Sequence, residues 1–540
     1  MRNKNLVINI PSDGLEEEVI TSTDLSEEEY RQNVKRYIGE FLDDTTCGRM
    51  FFNVCYKRSV VHSDTADTYL YNIKRGEDGL PILDENENPS KEISQEIDFA
   101  TLNRGYREML KRNIDIIHMA VDEAKSYDME AWFSVRMNDH HYSDDPGFNS
   151  SFAFDRAEEL GVNGSRTYID YTKISVQNYY KNYIKELCQN YDIDGIELDF
   201  LRSCPVMSEV DEQNTKLLTQ YVASVKSVVD EASAKKNKKI GIAVRCYAKE
   251  YMNLAYGLDI AAWISAGLVD ILTVEGWYIP TCFDIPVEEW RKSIDARNTA
   301  GHPYTILCGT DWGVECDETD HIGRTMWISL EQFKGFASGA YTRGADGIYI
   351  FNHFSTDDHY HNFPNMGRVT CYIDENGNKC EKNVLKDKIN AANSLQCAEN
   401  GKRCYVNTYT DPKTVPYPIT VNKTNPFKFE MNTGSKPELG YWCVVVGIDE
   451  TECDGLKIIV NGIPAKQVCD IPKAKDFSFE PSEEAHVFVN HVSETAARVM
   501  CFESKLFALN NGMNTVEIFS DSGEYTIRWL EIQVEEKKSL

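Results

Sequence analysis

Long apolar runs are missing from this 540-residue chain; none approaches the roughly 20 residues a membrane helix needs. The opening stretch, MRNKNLVINIPSDGLEEE, offers only Leu6 to Ile10 before Pro11, far short of the apolar core of a signal peptide. The expectation is a cytoplasmic chain that does not engage a membrane. Basic residues are scarce too. Lys and Arg number 57 against 86 Asp and Glu, a net charge of −29, and a surface of that sign repels the phosphates of nucleic acids and anionic lipids. The 16 cysteines show no CxxC spacing, and no HExxH pair occurs, so no regular metal-ligand framework is present. Neither a GxGxxG turn nor a P-loop lysine motif occurs, which removes the phosphate-binding fingerprint of an open doubly wound sheet. There is no repeat of fixed period. Cys55, Cys246, Cys308 and Cys443 lie inside apolar runs and read as buried, reduced thiols, with a few disulfides in a secreted form as the alternative.

What is present is a globular composition, 42% hydrophobic and 11% aromatic, enough for a sizeable core. As far as residue 395, short β-rich runs alternate with segments of helical period. The runs are Leu6 to Ile10, Phe51 to Tyr56, Ala131 to Met137, Gly195 to Phe200, Lys239 to Tyr247, Asp270 to Gly276, Tyr304 to Thr310 and Gly347 to Asn352. Between them lie helical stretches at SEEEYRQNVKRYIGEFL and at Leu102 to Tyr127, Ser175 to Tyr191, Glu209 to Ala234, Gly257 to Ala266, Val287 to Ala300 and Leu330 to Arg343. Eight such units predict an α/β fold, a (β/α)8 TIM barrel over residues 1–395, with the first strand its weakest member. Insertions at Lys57 to Ala100 and Asn138 to Thr172 follow the second and third strands, on the face where barrel active sites are built. Over residues 396–540 the texture changes to GYWCVVVGID, LKIIVNG, ARVMCFES and YTIRWLEIQV, which predicts an all-β sandwich.

The richest chemistry lies in YDIDGIELDFLRSCP, Tyr191 to Pro205. Strand alternation puts Glu197 and Asp199 on one face, with Asp199 near the C-terminal end. A carboxylate there suits a nucleophile or base, whereas Glu197 suits equally an ion pair with Arg136 or Arg245. The sixth strand ends in Glu275 followed by Trp277 and Tyr278, a plausible general acid beside rings that stack on sugars. The seventh offers Asp311 and Trp312, either a second acid or a loop-capping Asp. After the third strand come Arg136, Asn138, Asp139, His140 and His141. With Arg58, Arg202 and Arg245 they make a basic mouth on an acidic protein, suited to an anionic sugar such as a uronate. Asn352 and His353 end the eighth strand and are placed to contact substrate. His140, His141 and the DDHYH stretch from Asp357 to His361 read as loop residues rather than a metal site.

The stretch DGIELDFLR resembles the fourth-strand motif of glycoside hydrolase barrels, especially bacterial glycosyl-hydrolase-like proteins with a DGIxxDxxR pattern. A comparable strand of alpha-amylases carries a nucleophilic Asp, which the resemblance places on Asp199. Chitinases of the DGxDxDxE type are similar as well, but their terminal Glu falls on Leu201, which argues against a chitinase mechanism. An Asp ending the fourth strand and an acid ending the sixth look like the layout of alpha-galactosidase-type barrels. The motif spans nine residues, so the resemblance implies a superfamily rather than a substrate. The expectation is a carbohydrate-active hydrolase with Asp199, Glu275 and Asp311 catalytic and no cofactor or metal. Its partner is a carbohydrate, and the sequence carries no signal of oligomeric state. A non-catalytic glycan-binding barrel and a metal-dependent lyase or epimerase remain open alternatives.

Overall fold

The computed structural model of the protein describes residues 2–95, 104–277, 281–315, 325–353, 368–373, 376, 378–408, 417–471, 488–489 and 496–537. Eight strands form a closed barrel: β1 (Asn3–Ile10), β2 (Cys47–Cys55), β3 (Glu130–Arg136), β4 (Gly195–Asp199), β5 (Gly241–Tyr247), β6 (Ile271–Glu275), β7 (Thr305–Thr310) and β8 (Gly347–Ile350). Each neighbours the strand before it in sequence, and β8 returns to β1. The first strand is a full member, paired in parallel with β2 from Asn3 to Ile10.

Helices follow the expected positions with instructive breaks. The stretch expected as one helix to Tyr127 ends at Lys111 and restarts at Ile116. Asn113 takes a left-handed φ of 54°, and the Asp115 side chain caps the new helix by accepting the His118 N–H. The helix Ile174–Asn190 buries Val176, Tyr179, Tyr180, Tyr183, Ile184 and Leu187, a stripe of helical period. The next, Glu212–Lys236, is capped by Asp211 and ends at left-handed Asn237. Several described helices had no counterpart among the sequence expectations, among them Glu250–Ala255, Leu385–Ala391 and Ser12–Val19, the last starting directly after Pro11.

Two compact units make up the chain, residues 1–274 with 288–307, and residues 275–287 with 308–540. In the first, alternation sorts each strand into two faces. On β3, Phe133 and Val135 face outward, and the Phe133 ring meets Tyr191 at 5.0 Å. Trp132, Ser134 and Arg136 face the interior. The Trp132 ring stacks on Phe51 at 5.1 Å with the planes 6° apart, under the Arg49 guanidinium. That ring lies across the first residues of β4 and β5, which are both glycine: a Cβ on Gly195 would sit 2.2 Å from it, and one on Gly241 2.6 Å. The barrel floor is therefore an indole that only glycine neighbours admit.

Among the described residues, besides the short sheets of 313–315, 325–327 and 488–489 and of 369–373 with 379–383, the second unit carries a larger β assembly of two antiparallel sheets over 402–536. Its strands are β9 (Lys402–Val406), β10 (Ile419–Val421), β11 (Phe427–Asn432), β12 (Gly440–Ile448), β13 (Leu456–Val460), β14 (Lys466–Asp470), β15 (Arg498–Glu503), β16 (Met513–Ser520) and β17 (Tyr525–Glu536). One sheet runs β9-β17-β12-β15-β14 with β10 beside β17; the other runs β11-β16-β13 and ends in the short Ile463–Pro464 strand. The helix Leu330–Thr342 presses on β9, where Gly335 leaves room for the Cys404 carbonyl. Its Gln332 donates to Glu531 at 2.9 Å. No described helix is long and apolar enough to cross a membrane.

Gly195→Ala should destabilise the protein by about 2 kcal/mol through overpacking, and a second change, Trp132→Leu, should recover part of the loss. Urea denaturation of the single and double variants checks both expectations.

Candidate functional site

The parallel register delivers three charged side chains side by side at the C-terminal ends of adjacent strands. Arg136 of β3 pairs with Asp199 of β4, which pairs with Arg245 of β5. All three are buried. Arg245 donates from Nη1 to Asp199 Oδ2 at 3.0 Å, and the Leu201 N–H donates to Oδ1 at 3.1 Å, so both carboxylate oxygens are oriented. Glu197 stands two residues earlier on the same face, fully buried beneath them.

A second carboxylate organises the rim above β3. Asp139 accepts from Arg136 Nη1 at 2.6 Å, from the His141 backbone N–H at 2.8 Å and from His141 Nδ1 at 2.5 Å. The Nε2 of His141 faces Arg202 Nη2 at 3.0 Å. A guanidinium can only donate, so the network assigns His141 the tautomer with its proton on Nδ1. Burial works to raise the Asp139 carboxyl, but His141, Arg136 and Arg202 outweigh it and hold the group well below the carboxylate range. Arg136 also lies over the Tyr56 ring, 4.0 Å from its centroid. His140 stacks on His141 at 4.8 Å and shares a hydrogen bond with Ser203 Oγ at 2.9 Å. Burial first, with the Arg202 guanidinium nearby, holds its imidazole well below the usual histidine value, so it is neutral at pH 7.

Lys57, which sequence reasoning passed over for its neighbour Arg58, belongs to this rim. It follows β2 by two residues and donates to Ser143 Oγ at 3.2 Å. Burial brings its ammonium down to about 8 against the pull of Asp139 and Asp144. Its position just past a strand end was the available signal. Arg58 instead ties loops together: it donates to the Thr68 carbonyl, Asn72 Oδ1 and the Pro146 carbonyl, pinning the insertion after β2 to the one after β3. Asn138 likewise bridges loops, donating to the Pro205 carbonyl and accepting the Ile169 N–H.

In the second unit, Glu275 ends β6 and is buried, and Gly309 makes its space, since a Cβ there would lie 2.1 Å from Glu275 Oε2. Asp311 accepts the Trp312 N–H at 2.7 Å and the Asn352 side-chain amide at 3.4 Å, the geometry of a loop cap. Asn352 holds a left-handed φ of 54°. The Trp312 ring is buried and Trp277 is partly exposed. His353 is buried with its Nδ1 donating to the Phe351 carbonyl, and burial, then Lys388, bring it down to about 3. Tyr278 and Asp357 to His361 lie outside the described residues. Among the described residues no group of three His, Cys, Asp or Glu side chains is arranged to hold a metal ion.

No protein-family model and no curated protein matches the chain. Solved structures do. A cycloisomaltooligosaccharide glucanotransferase from Paenibacillus sp. is 11% identical with a TM-score of 0.32, the match covering 97% of this chain and 57% of that one. An alpha-L-fucosidase from Paenibacillus thiaminolyticus is 10% identical with a TM-score of 0.33, covering 96% of each chain. A family GH18 chitinase from Chromobacterium violaceum is 10% identical with a TM-score of 0.34, covering 97% of this chain and 90% of that one.

Asp139→Asn leaves buried Arg136 without its counter-charge, and breaking such a pair costs about 3–5 kcal/mol. The denaturation midpoint should fall accordingly, and Asp139→Glu should fall less.

Proposed function

We propose that the protein is a glycoside hydrolase acting on an oligosaccharide or glycan, with a preference for an anionic sugar. The observation that carries this reading is Asp199, a buried carboxylate on the last residue of β4, oriented at both oxygens by Leu201 and Arg245. Strand ends on that face of a parallel barrel are where catalytic groups stand. Asp199 acts as nucleophile at the anomeric carbon or as base towards water, and Glu275 protonates the departing glycosidic oxygen as general acid. Asp311, already engaged by Trp312 and Asn352, is the reserve acid. Fixed donors such as Arg245 keep the carboxylate in place, so little reorganisation is needed as positive charge develops on the sugar.

Preference for an anionic sugar rests on the cations gathered at the rim, Lys57, Arg136 and Arg202, around Asp139. Trp277 supplies a ring for a sugar face, and His140 a neutral donor or acceptor. A non-catalytic glycan-binding barrel is the second reading. It is favoured by Leu201, a buried apolar residue where a chitinase-type acid would stand.

Aryl glycosides and natural oligosaccharides, neutral and uronic, should be tested with wild type and Asp199→Asn, each with and without chelator. The hydrolase reading expects turnover that withstands chelator and falls by roughly three orders of magnitude in the variant. Glycan binding by both proteins without turnover by either supports the binding barrel. Lys57 is charged below its own pKa and neutral above it. The preference for uronic over neutral substrates should therefore fade as pH rises through about 8, and in Lys57→Met it should be weak at every pH.

A further inference from the structure

One face of the larger sheet of the second unit carries a stripe of thiols. Cys469 on β14 stands directly opposite Cys501 on β15, so both side chains project from the same face. On the next strand Val445 is opposite Cys501, and Cys443, two residues away, reaches the same patch diagonally. The β14 strand is the outer edge of its sheet, and Cys469 is exposed, whereas Cys443 and Cys501 are buried. The register slips between Gln467 and Cys469, a bulge that loosens the edge strand where the pair sits. Opposed residues of an antiparallel pair have Cα atoms roughly 4.5–5.5 Å apart, inside the roughly 4.4–6.8 Å span of disulfides.

We propose that Cys469 and Cys501 form a thiol–disulfide exchange site, with Cys469 the entry thiol and Cys501 the resolving thiol. A small disulfide such as oxidised glutathione is the reacting partner. The Cys469 thiolate attacks one sulfur of that disulfide, and one glutathione leaves as thiol. Cys501 then attacks the Cys469 sulfur and expels the second glutathione. Two protein thiols are oxidised, one glutathione disulfide is reduced to two thiols, and the protons of the protein thiols pass to the leaving groups. Burial first, then the neighbouring Cys469 and Cys443, hold the Cys501 thiol up, and Lys402 opposes them. Capping Cys469 in the mixed disulfide removes one of those contributions, so the first step eases the second.

The full-length chain should be incubated with oxidised glutathione, alkylated, and mapped by peptide mass under non-reducing conditions. Wild type is expected to give a cross-linked peptide pair joining Cys469 and Cys501, with the mass of two hydrogens lost and no glutathione retained there. Cys501→Ser should hold glutathione on Cys469, and Cys469→Ser should show neither the bridge nor glutathione at Cys501. Circular dichroism of the variants confirms that the sheet is intact. Wild type that keeps glutathione on Cys469 while Cys501 is still alkylated would overturn the proposal, as would a Cys469 that does not react.

Discussion

A carboxylate and two guanidiniums share one buried row inside the barrel, and the chemistry of its mouth depends on how their charges are balanced. Arg136, Asp199 and Arg245 stand on consecutive strands in register, and each is almost wholly withdrawn from water. Charges so placed are tolerated only if they are paired and hydrogen-bonded. Asp199 is held by Arg245 and a backbone N–H, while Arg136 is paired with Asp139 and lies against the face of Tyr56. Asp139 in turn sets the tautomer of His141, whose unprotonated nitrogen receives Arg202. The rim is thus built as a chain of obligations that starts in the strands.

What lies beneath explains why such a row is possible. The lower interior is filled by Trp132 over Phe51, and the glycines that begin β4 and β5 admit the indole. With the floor sealed by rings, the layers above are free to carry polar groups such as Asn53, Ser134 and Glu197 instead of the branched aliphatic side chains that usually pack a barrel. The outward faces of the same strands keep the apolar pattern, Ile196 and Leu198 on β4 and Ile242 and Val244 on β5, all fully buried.

This division of labour is also why the barrel could be read in the sequence. Each strand alternates an apolar outward residue with an inward one, and all eight runs stand where the period placed them. Helix interruptions were less legible because they turn on single residues, Asn113 in a left-handed conformation and the cap at Asp115. The helix after Pro11 was hidden by a proline that marks its start rather than a barrier. The strand-end positions of Asp199 and Glu275 followed from the strand boundaries. Loop residues did not, because their contacts are fixed by chain folding that no period records. Arg58, expected at the mouth, staples two insertions, while Lys57 beside it faces Asp139 and Asp144.

Arg245 and the Asp199 carboxylate act as one buried unit. A double-mutant cycle with Asp199→Asn, Arg245→Gln and the combined variant, read by chemical denaturation, measures that coupling. The pair should be non-additive by more than about 1 kcal/mol, the double variant losing less than the sum of the single changes. Additive losses would mean that the two side chains are neighbours without being partners, and would contradict the account.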